Sequence, residues 1–528
     1  MKRQRFLDWI VYQIYPKSFY DSNGDGIGDL RGILQKIDHL TELGVNAVWL
    51  CPCYKSPNAD NGYDVEDYRE IDPQFGSFQD WKALQTELKK RNIKLIMDFV
   101  ANHTSSKHIW FEQARSSRDN PYHDYYIWAD KPLNKWKSVF GGSAWEYNPK
   151  TQEYYLHSFS VEQPDLNWEN PKVRKEMRDI IDFWVEQGVD GFRCDVLDFI
   201  SKDFERNKMY DGKRLHEYIR ELFDREKTKD LFIIGECQSN EKNIKKICGK
   251  NRGELTTVFQ FEHTQFGGVN KYLPHSFTLD KFKKTLVKWQ DFSQKNELLY
   301  TLFTDNHDQP FLLSRFNLDK EMRYEAATML ATAVYLLKGI PFIYQGQEYG
   351  AANSYFENLQ DFNDVETLRY YKDRESDPNI LEKINRGSRD NPRRPMAWNG
   401  QKYYGFSMAK PWLTCPSRGK EIHLEKDKES EKSVFRFYQA LLSLRKKLPA
   451  LRYGKFADQT QGKGYFSYTR SYRKQTVLIV CNFQKPRKIP LAYEIKNLLL
   501  SNYAERYKEP KSIFFRSFEI AVYALKRQ

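Results

Sequence analysis

Several short apolar runs in the first 350 residues end in side chains that can do chemistry. KLIMDFV (94–100) contains Asp98 and runs on to Asn102 and His103; VDGFRCDV (189–196) carries Arg193 and Asp195; LFIIGE (231–236) ends in Glu236; LLYTLFT (298–304) is followed by His307 and Asp308. Two carboxylates flanking a bond, one ionised to attack and one protonated to donate, are what glycoside hydrolysis requires. Arg193 precedes Asp195 by two residues, so on a strand both side chains share a face, and the guanidinium is expected to hold Asp195 ionised. Taken singly, an acid at a strand end can simply cap the next helix. Four such ends on one face point to a site. Metal-assisted hydrolysis is the rival use of His and Asp, but there is no HExxH, and both histidines follow neutral amides, Asn102 and Asn306.

These ends share one mouth only if the runs form a closed parallel sheet. The other runs are WIVYQIY (9–15), VNAVWL (45–50), TTVFQFE (256–262) and IPFIYQG (340–346). Between most of them lie helix-period stretches such as DLRGILQKIDHLTELG, QDWKALQTELKKRN and VRKEMRDIIDFWVEQG, each ending near Gly or Asn. Eight strands apolar on both faces and alternating with helices predict an α/β fold, a (β/α)₈ TIM barrel. No GxGxxG follows the first strand, which disfavours an open doubly wound sheet. About seventy residues rich in Trp, Tyr, Asn and Gly separate the third strand from the helix beginning near Asn170, too long for a plain βα loop. The expected organisation is a first barrel part (1–103), an inserted subdomain (104–169), a second barrel part (170–449, irregular over about 350–430) and a C-terminal antiparallel β domain (450–528). The last is read from GYFSYTRSY, TVLIVCNF and SFEIAVYAL.

The 528 residues carry 84 Lys+Arg against 71 Asp+Glu, a net charge of +13. The basic residues are interspersed with acids and form no block of five or six, so no nucleic-acid partner is expected. No apolar run is long enough for a membrane span, and the N-terminal stretch lacks a small-residue cleavage site. Seven cysteines, an odd number scattered from Cys51 to Cys481, form no disulfide framework and suit a reducing cytoplasm. A cytoplasmic monomer with a small-molecule substrate is expected.

DFVANH, GFRCDV, GEC and TDNHD, in that order, resemble the four signature segments of the α-amylase family of glycoside hydrolases (family 13), and QPDLNW (163–168) resembles a further segment of its oligo-1,6-glucosidase-type members. The resemblance covers essentially the whole chain. It implies Asp195 as nucleophile, Glu236 as acid/base, and Asp308 gripping the 2- and 3-hydroxyls of the sugar. His103, His307, Arg193, Asp98 and Asn102 would support them. DNGYD (60–64) implies Tyr63 as a platform under the sugar ring and Asp60 as acceptor from the 4- and 6-hydroxyls. Arg394, in SRDNPRRPMAW, is the expected partner of Asp60, closing the pocket so that single glucose units are removed from a chain end. Val196, next to the nucleophile, goes in this subfamily with α-1,6 bonds.

The loop DSNGDGIGD offers oxygens at alternate positions: Asp21, Asn23, Asp25, the Ile27 carbonyl and Asp29, with Gly26 at the sharp turn. It resembles the structural calcium site of the subfamily, so Ca2+ is expected there for stability and no cofactor for catalysis. Two places depart from the family pattern. Phe311 stands where relatives read arginine, and GECQSN replaces GEMPG; both are expected to border the aglycone. The preferred reading is a retaining exo-acting α-1,6-glucosidase acting on isomaltose, isomaltooligosaccharides and panose. Trehalose-6-phosphate hydrolysis and α-1,4-glucosidase or sucrose-acting chemistry are alternatives. A non-catalytic transporter partner is disfavoured because the carboxylates are kept and no membrane anchor is seen.

Overall fold

The computed structural model describes residues 2–249, 253–265, 270–273, 277–490, 493–504 and 512–526. The eight apolar runs become the strands β1 (Val11–Ile14), β2 (Ala47–Leu50), β3 (Lys94–Val100), β4 (Gly191–Asp195), β5 (Phe232–Glu236), β6 (Thr257–Phe259), β7 (Thr301–Leu302) and β8 (Ile340–Tyr344). They form one parallel sheet in the spatial order β6-β5-β4-β3-β2-β1-β8-β7, a nearly closed TIM barrel. Side-chain hydroxyls close the seam: Thr257 Oγ1 donates to Leu299 O (2.7 Å) and Thr301 Oγ1 to Val258 O (3.2 Å). β7 is correspondingly shorter than its apolar run. Helices cover the outer face, so almost every strand residue is buried, and that double burial is why the strands read as continuous apolar runs.

Register does much of the positioning. β3 and β4 pair Asp98 with Arg193 and Val100 with Asp195, which places the acid and the base side by side within the barrel. β4 must also approach β5 closely. A Cβ at Gly191 would lie 2.2 Å from the Phe232 carbonyl oxygen, so only glycine fits there.

The segment after β3 holds a helix (Ile109–Ala114) and a three-stranded antiparallel sheet, Trp128–Ala129, Glu153–Leu156 and Trp145–Asn148. It returns to the barrel at the helix Pro171–Glu186, whose N-cap is Asn170 with proline in the first turn. The stretch after β8 contains the helices Val365–Lys372 and Ile380–Gly387 and one short turn, Asp390–Arg393. The C-terminal part is a five-stranded antiparallel sheet with a separate two-stranded pair, Arg487–Pro490 and Ser512–Phe515; Lys455–Asp458, Ile495–Ser501 and that pair are additions to the three strands expected.

Two buried arginines, Arg445 on the helix Val434–Lys447 and Arg470 in the sheet, converge on one helix end of the barrel. Arg445 donates to the carbonyls of Tyr335 and Leu337 (2.9 and 3.0 Å), and Arg470 to that of Leu336 (2.6 Å). These carbonyls end the buried helix Arg323–Tyr335, where a cation also meets the negative end of the helix dipole. All seven cysteines are free. Among the described residues no helix is long and apolar enough to cross a membrane.

Candidate active site

At the C-terminal ends of the strands lies a cavity of about 780 Å³ whose lining includes Asp60, Tyr63, His103, Val196 and three carboxylates, Asp195, Glu236 and Asp308. Beneath it sits Arg193, wholly buried. Its Nη1 donates to Asp98 Oδ1 (2.9 Å) and Asp195 Oδ1 (2.8 Å), while its Nη2 contacts Glu236 Oε2. One guanidinium thus anchors both expected catalytic carboxyls. Asp98 is fixed in turn by Trp49 Nε1 (3.0 Å) and the Tyr63 hydroxyl (3.2 Å).

Asp195 is less acidic than its arginine neighbour alone would make it. Burial pushes its carboxyl up to about 7, against the pull of Arg193, and Asp98, Asp308 and Asp60 add to the rise. The counter-ion alone does not decide the charge. Asp308 behaves oppositely: burial would raise it, but His307 and the guanidiniums of Arg393 and Arg389 outweigh burial and hold it well below the usual carboxylate range. Its Oδ2 lies 3.0 Å from His307 Nε2, and its Oδ1 accepts from Arg393 Nη2 at 2.7 Å. If ionised Asp195 attacks, kcat/KM is expected to fall about tenfold per pH unit below pH 7, because that quantity follows the free enzyme. A pH–rate profile flat down to pH 5 would contradict this.

Tyr63 is held from both sides. Its hydroxyl sits 2.6 Å from His307 Nε2, and its ring stacks on His307 at 5.3 Å and 6°. His103, whose pKa burial lowers to about 4, is neutral; its Nε2 lies 3.2 Å from the Tyr63 carbonyl oxygen. Asn102 faces away from the cavity. Its Nδ2 donates to Asp165 Oδ1 (3.0 Å) and its Oδ1 accepts from Lys202 (2.7 Å), tying QPDLNW to the end of β3. Val196 lines the cavity with φ 35°, a left-handed conformation uncommon for a β-branched residue. It packs with Phe159 and Phe199 as an apolar wall.

Two expectations are corrected here. Arg394 does not pair with Asp60: its Nη1 donates to the carbonyls of Thr414 and Cys415, and its guanidinium stacks 3.6 Å over Phe356. The partner is Arg389, whose Nη2 reaches Asp60 Oδ1 at 2.9 Å, while its Nε donates to Asp364 Oδ1 at 2.7 Å. The turn Asp390–Arg393 explains the difference, because Arg389 and Arg393 lie four apart and share a face that Arg394 leaves. Phe311, likewise, does not border the cavity. It is buried against Tyr344, and Gln309 takes the lining position. Arg389, Arg393, Asp364 and Gln163 are therefore site residues that sequence reasoning missed. Gln163, inside QPDLNW, donates to Asp60 Oδ2 at 3.2 Å and contacts His103 at 3.1 Å.

The loop 21–29 is closed by its own hydrogen bonds. Asp21 accepts from the N–H groups of Asn23, Gly24 and Gly26 and from Ser407 Oγ; Asp25 accepts from Ile27 N; Asp29 accepts from Ser22 and, as a helix N-cap, from Gly32 N. Among the described residues no group of three or more His, Cys, Asp or Glu is disposed around a metal position. The donor set is nevertheless all oxygen, which suits a hard cation.

The sequence matches the model of the α-amylase catalytic domain over residues 13–454. The chain belongs to the α-amylase family. It is 43% identical to an oligo-1,6-glucosidase of Parageobacillus thermoglucosidasius, covering all of both chains, and 38% identical to the trehalose-6-phosphate hydrolase of Escherichia coli over 98% of each. A crystal structure of Bacillus licheniformis trehalose-6-phosphate hydrolase superposes with a TM-score of 0.94 at 36% identity, covering 99% of this chain and all of that one. This α-amylase family member is a glycoside hydrolase, with its cavity where barrel enzymes of the family work.

Proposed function

We propose that this chain is a retaining, exo-acting α-glucosidase that removes terminal α-1,6-linked glucose from short oligosaccharides. The carrying observation is the pocket itself: Asp195 and Glu236 share one buried guanidinium, and the Asp60–Arg389 ion pair stands across one side. Relatives named oligo-1,6-glucosidase and glucan 1,6-alpha-glucosidase support the linkage. A terminal glucose lies on Tyr63 with its 4- and 6-hydroxyls toward Asp60 and its 2- and 3-hydroxyls toward ionised Asp308. Arg193 occupies Oδ1 of Asp195, leaving Oδ2 to attack C1. The C1–O bond breaks as Glu236 gives its proton to the leaving oxygen, forming a glucosyl ester. Glu236 then takes a proton from water, whose oxygen attacks C1 and frees Asp195. Two inversions give net retention.

A hydrolysis panel tests this reading: isomaltose, isomaltotriose, panose, maltose, sucrose, trehalose and trehalose 6-phosphate, with NMR of the first-formed anomer. Isomaltose, isomaltotriose and panose are expected to be preferred, with α-glucose first. Initial β-glucose would overturn the mechanism, and preference for the phosphorylated disaccharide would overturn the substrate class. Of the basic residues lining the cavity, Lys271 pairs with Glu366 (2.7 Å) and Arg389 with Asp364 and Asp60, while Lys137, Arg315 and Arg374 also line it, so the trehalose 6-phosphate arm of the panel is the decisive one for the substrate class.

We also propose that the loop 21–29 takes Ca2+ through Asp21, Asn23, Asp25, the Ile27 carbonyl and Asp29, as a stabilising ion. Calcium at a hundred times its Kd is expected to raise Tm by about 2 °C over the chelated protein. An unmoved Tm would dismiss the site. The free cysteines support work in the cytoplasm, and a monomer suffices for a pocket built from one chain.

A further inference from the structure

The turn Asp390–Arg393 has a second cavity on its other side. Asn391, Pro392 and Arg394 line it, its volume is about 30 Å³, and it shares no lining residue with the catalytic cavity. Two arginines, Arg394 and Arg418, stand in its walls and no acid does. Arg418 is half-buried and engaged, donating to the Asp319 carbonyl at 2.7 Å with Glu421 at 3.4 Å.

Arg394 is the cation without a counter-ion. It is 5% exposed, and its guanidinium lies on Phe356, a member of an apolar cluster with Phe362, Ile384 and Leu413. Nη1 is taken by the carbonyls of Thr414 and Cys415, but Nε and Nη2 are buried with no hydrogen-bond partner. Among the described residues no carboxylate forms an ion pair with it. Burial lowers its pKa to about 10, and Asp390, Cys415 and Asp361, acting through space, offset that only in part. Arg445 and Arg470 also lack a carboxylate, yet both of their terminal nitrogens are taken by backbone carbonyls. A buried charge with idle donors beside a cavity calls for an ion or a water.

Charge and size choose between these. A water would occupy the donors and leave the charge uncompensated, whereas an anion does both through charge-assisted hydrogen bonds. The volume holds a water or a single ion of similar size and excludes a phosphate or a sugar. Gln345 lines the same cavity. Its Oε1 accepts from the Tyr15 N–H at 2.8 Å, which leaves the Nε2 hydrogens to donate.

We propose that this cavity binds one small monovalent anion of halide size, held by Arg394 Nε and Nη2 with the Gln345 amide as a further donor. The anion braces the turn from the side opposite the substrate, while Arg389 and Arg393 reach Asp60 and Asp308 on the other. It is a stabilising ion and takes no part in the chemistry.

The test compares chloride with methanesulfonate, a monovalent anion too bulky for the cavity, at equal ionic strength. Chloride at about a hundred times its Kd is expected to raise the wild-type Tm by about 2 °C. Arg394→Met, a less stable chain, is expected to show the same Tm in both salts. A second measurement needs no variant: crystals of the wild-type protein soaked in sodium bromide are expected to show an anomalous peak at hydrogen-bonding distance from Arg394 Nε or Nη2. A chloride response as large in Arg394→Met as in wild type would overturn the proposal by placing the ion elsewhere. A cavity holding only water in the bromide-soaked crystal would overturn it as well.

Discussion

Asp195→Ala is expected to lower kcat on isomaltose by about 10⁴–10⁶-fold, the scale seen when the nucleophile of a covalent mechanism is removed. The geometry offers no substitute. Asp308 is committed to His307 and Arg393, and Asp98 is fully buried under Arg193. A structural role for Asp195 would also cost activity, so the decisive readout is the product formed with azide. With 4-nitrophenyl α-glucoside, azide entering the space vacated by Asp195 forms a C1–N bond as the aryl oxide leaves. One displacement gives β-glucosyl azide. In Glu236→Ala the nucleophile remains, the aryl oxide departs without a proton, and azide attacks the glucosyl ester to give the α-azide. Asp195→Asn, closest in shape, serves as the folding control. An alanine variant retaining a tenth of wild-type kcat, or yielding α-azide, would remove Asp195 from the nucleophile's role.

The barrel was legible because each strand is buried on both faces, which writes itself as an uninterrupted apolar run, as in β2 and β8. The carboxylates were legible because they terminate such runs: Asp195 and Glu236 are the last residues of β4 and β5. What was not legible depended on the path of the chain between strands. Arg389, Arg393 and Arg394 stand within six positions, and only the short turn Asp390–Arg393 decides which two face the cavity. Phe311 lies three residues after Asp308, yet the bridge between Asn306 and Gln309 reverses the chain and carries it inward. The raised pKa of Asp195 was not legible for another reason. Sequence reveals the sign of a neighbour such as Arg193, but the depth of burial that opposes it emerges only when the barrel closes. The +13 of the whole chain says little about this site, whose acids cluster inside around three buried arginines.

Those arginines carry the second large expected effect. Arg389→Met is expected to lower kcat/KM for isomaltose by about 10³-fold, whereas Arg394→Met leaves it within a few-fold. Arg389 holds Asp60 at 2.9 Å and Asp364 at 2.7 Å, and its Nη1 stands 3.4 Å from Asp308 Oδ1. Removing it frees the group expected to read the 4- and 6-hydroxyls and loosens the one expected to read the 2- and 3-hydroxyls. Three lost charge-assisted hydrogen bonds at about 1.5 kcal/mol each correspond to roughly 10³-fold. The same change strands two buried carboxylates, at a cost of about 3–5 kcal/mol, so a lower Tm should accompany the kinetic loss. Lysine is not expected to restore activity, because a single ammonium lacks the planar fork that reaches Asp60 and Asp364 together. Arg394→Met removes the stacking on Phe356 and two bonds to backbone carbonyls, so it should cost stability without touching the pocket. Comparable stability losses with opposite kinetic outcomes would separate pocket-forming from packing arginines. If Arg394→Met were the inactive variant and Arg389→Met the active one, the Asp60 partner assigned here would be wrong.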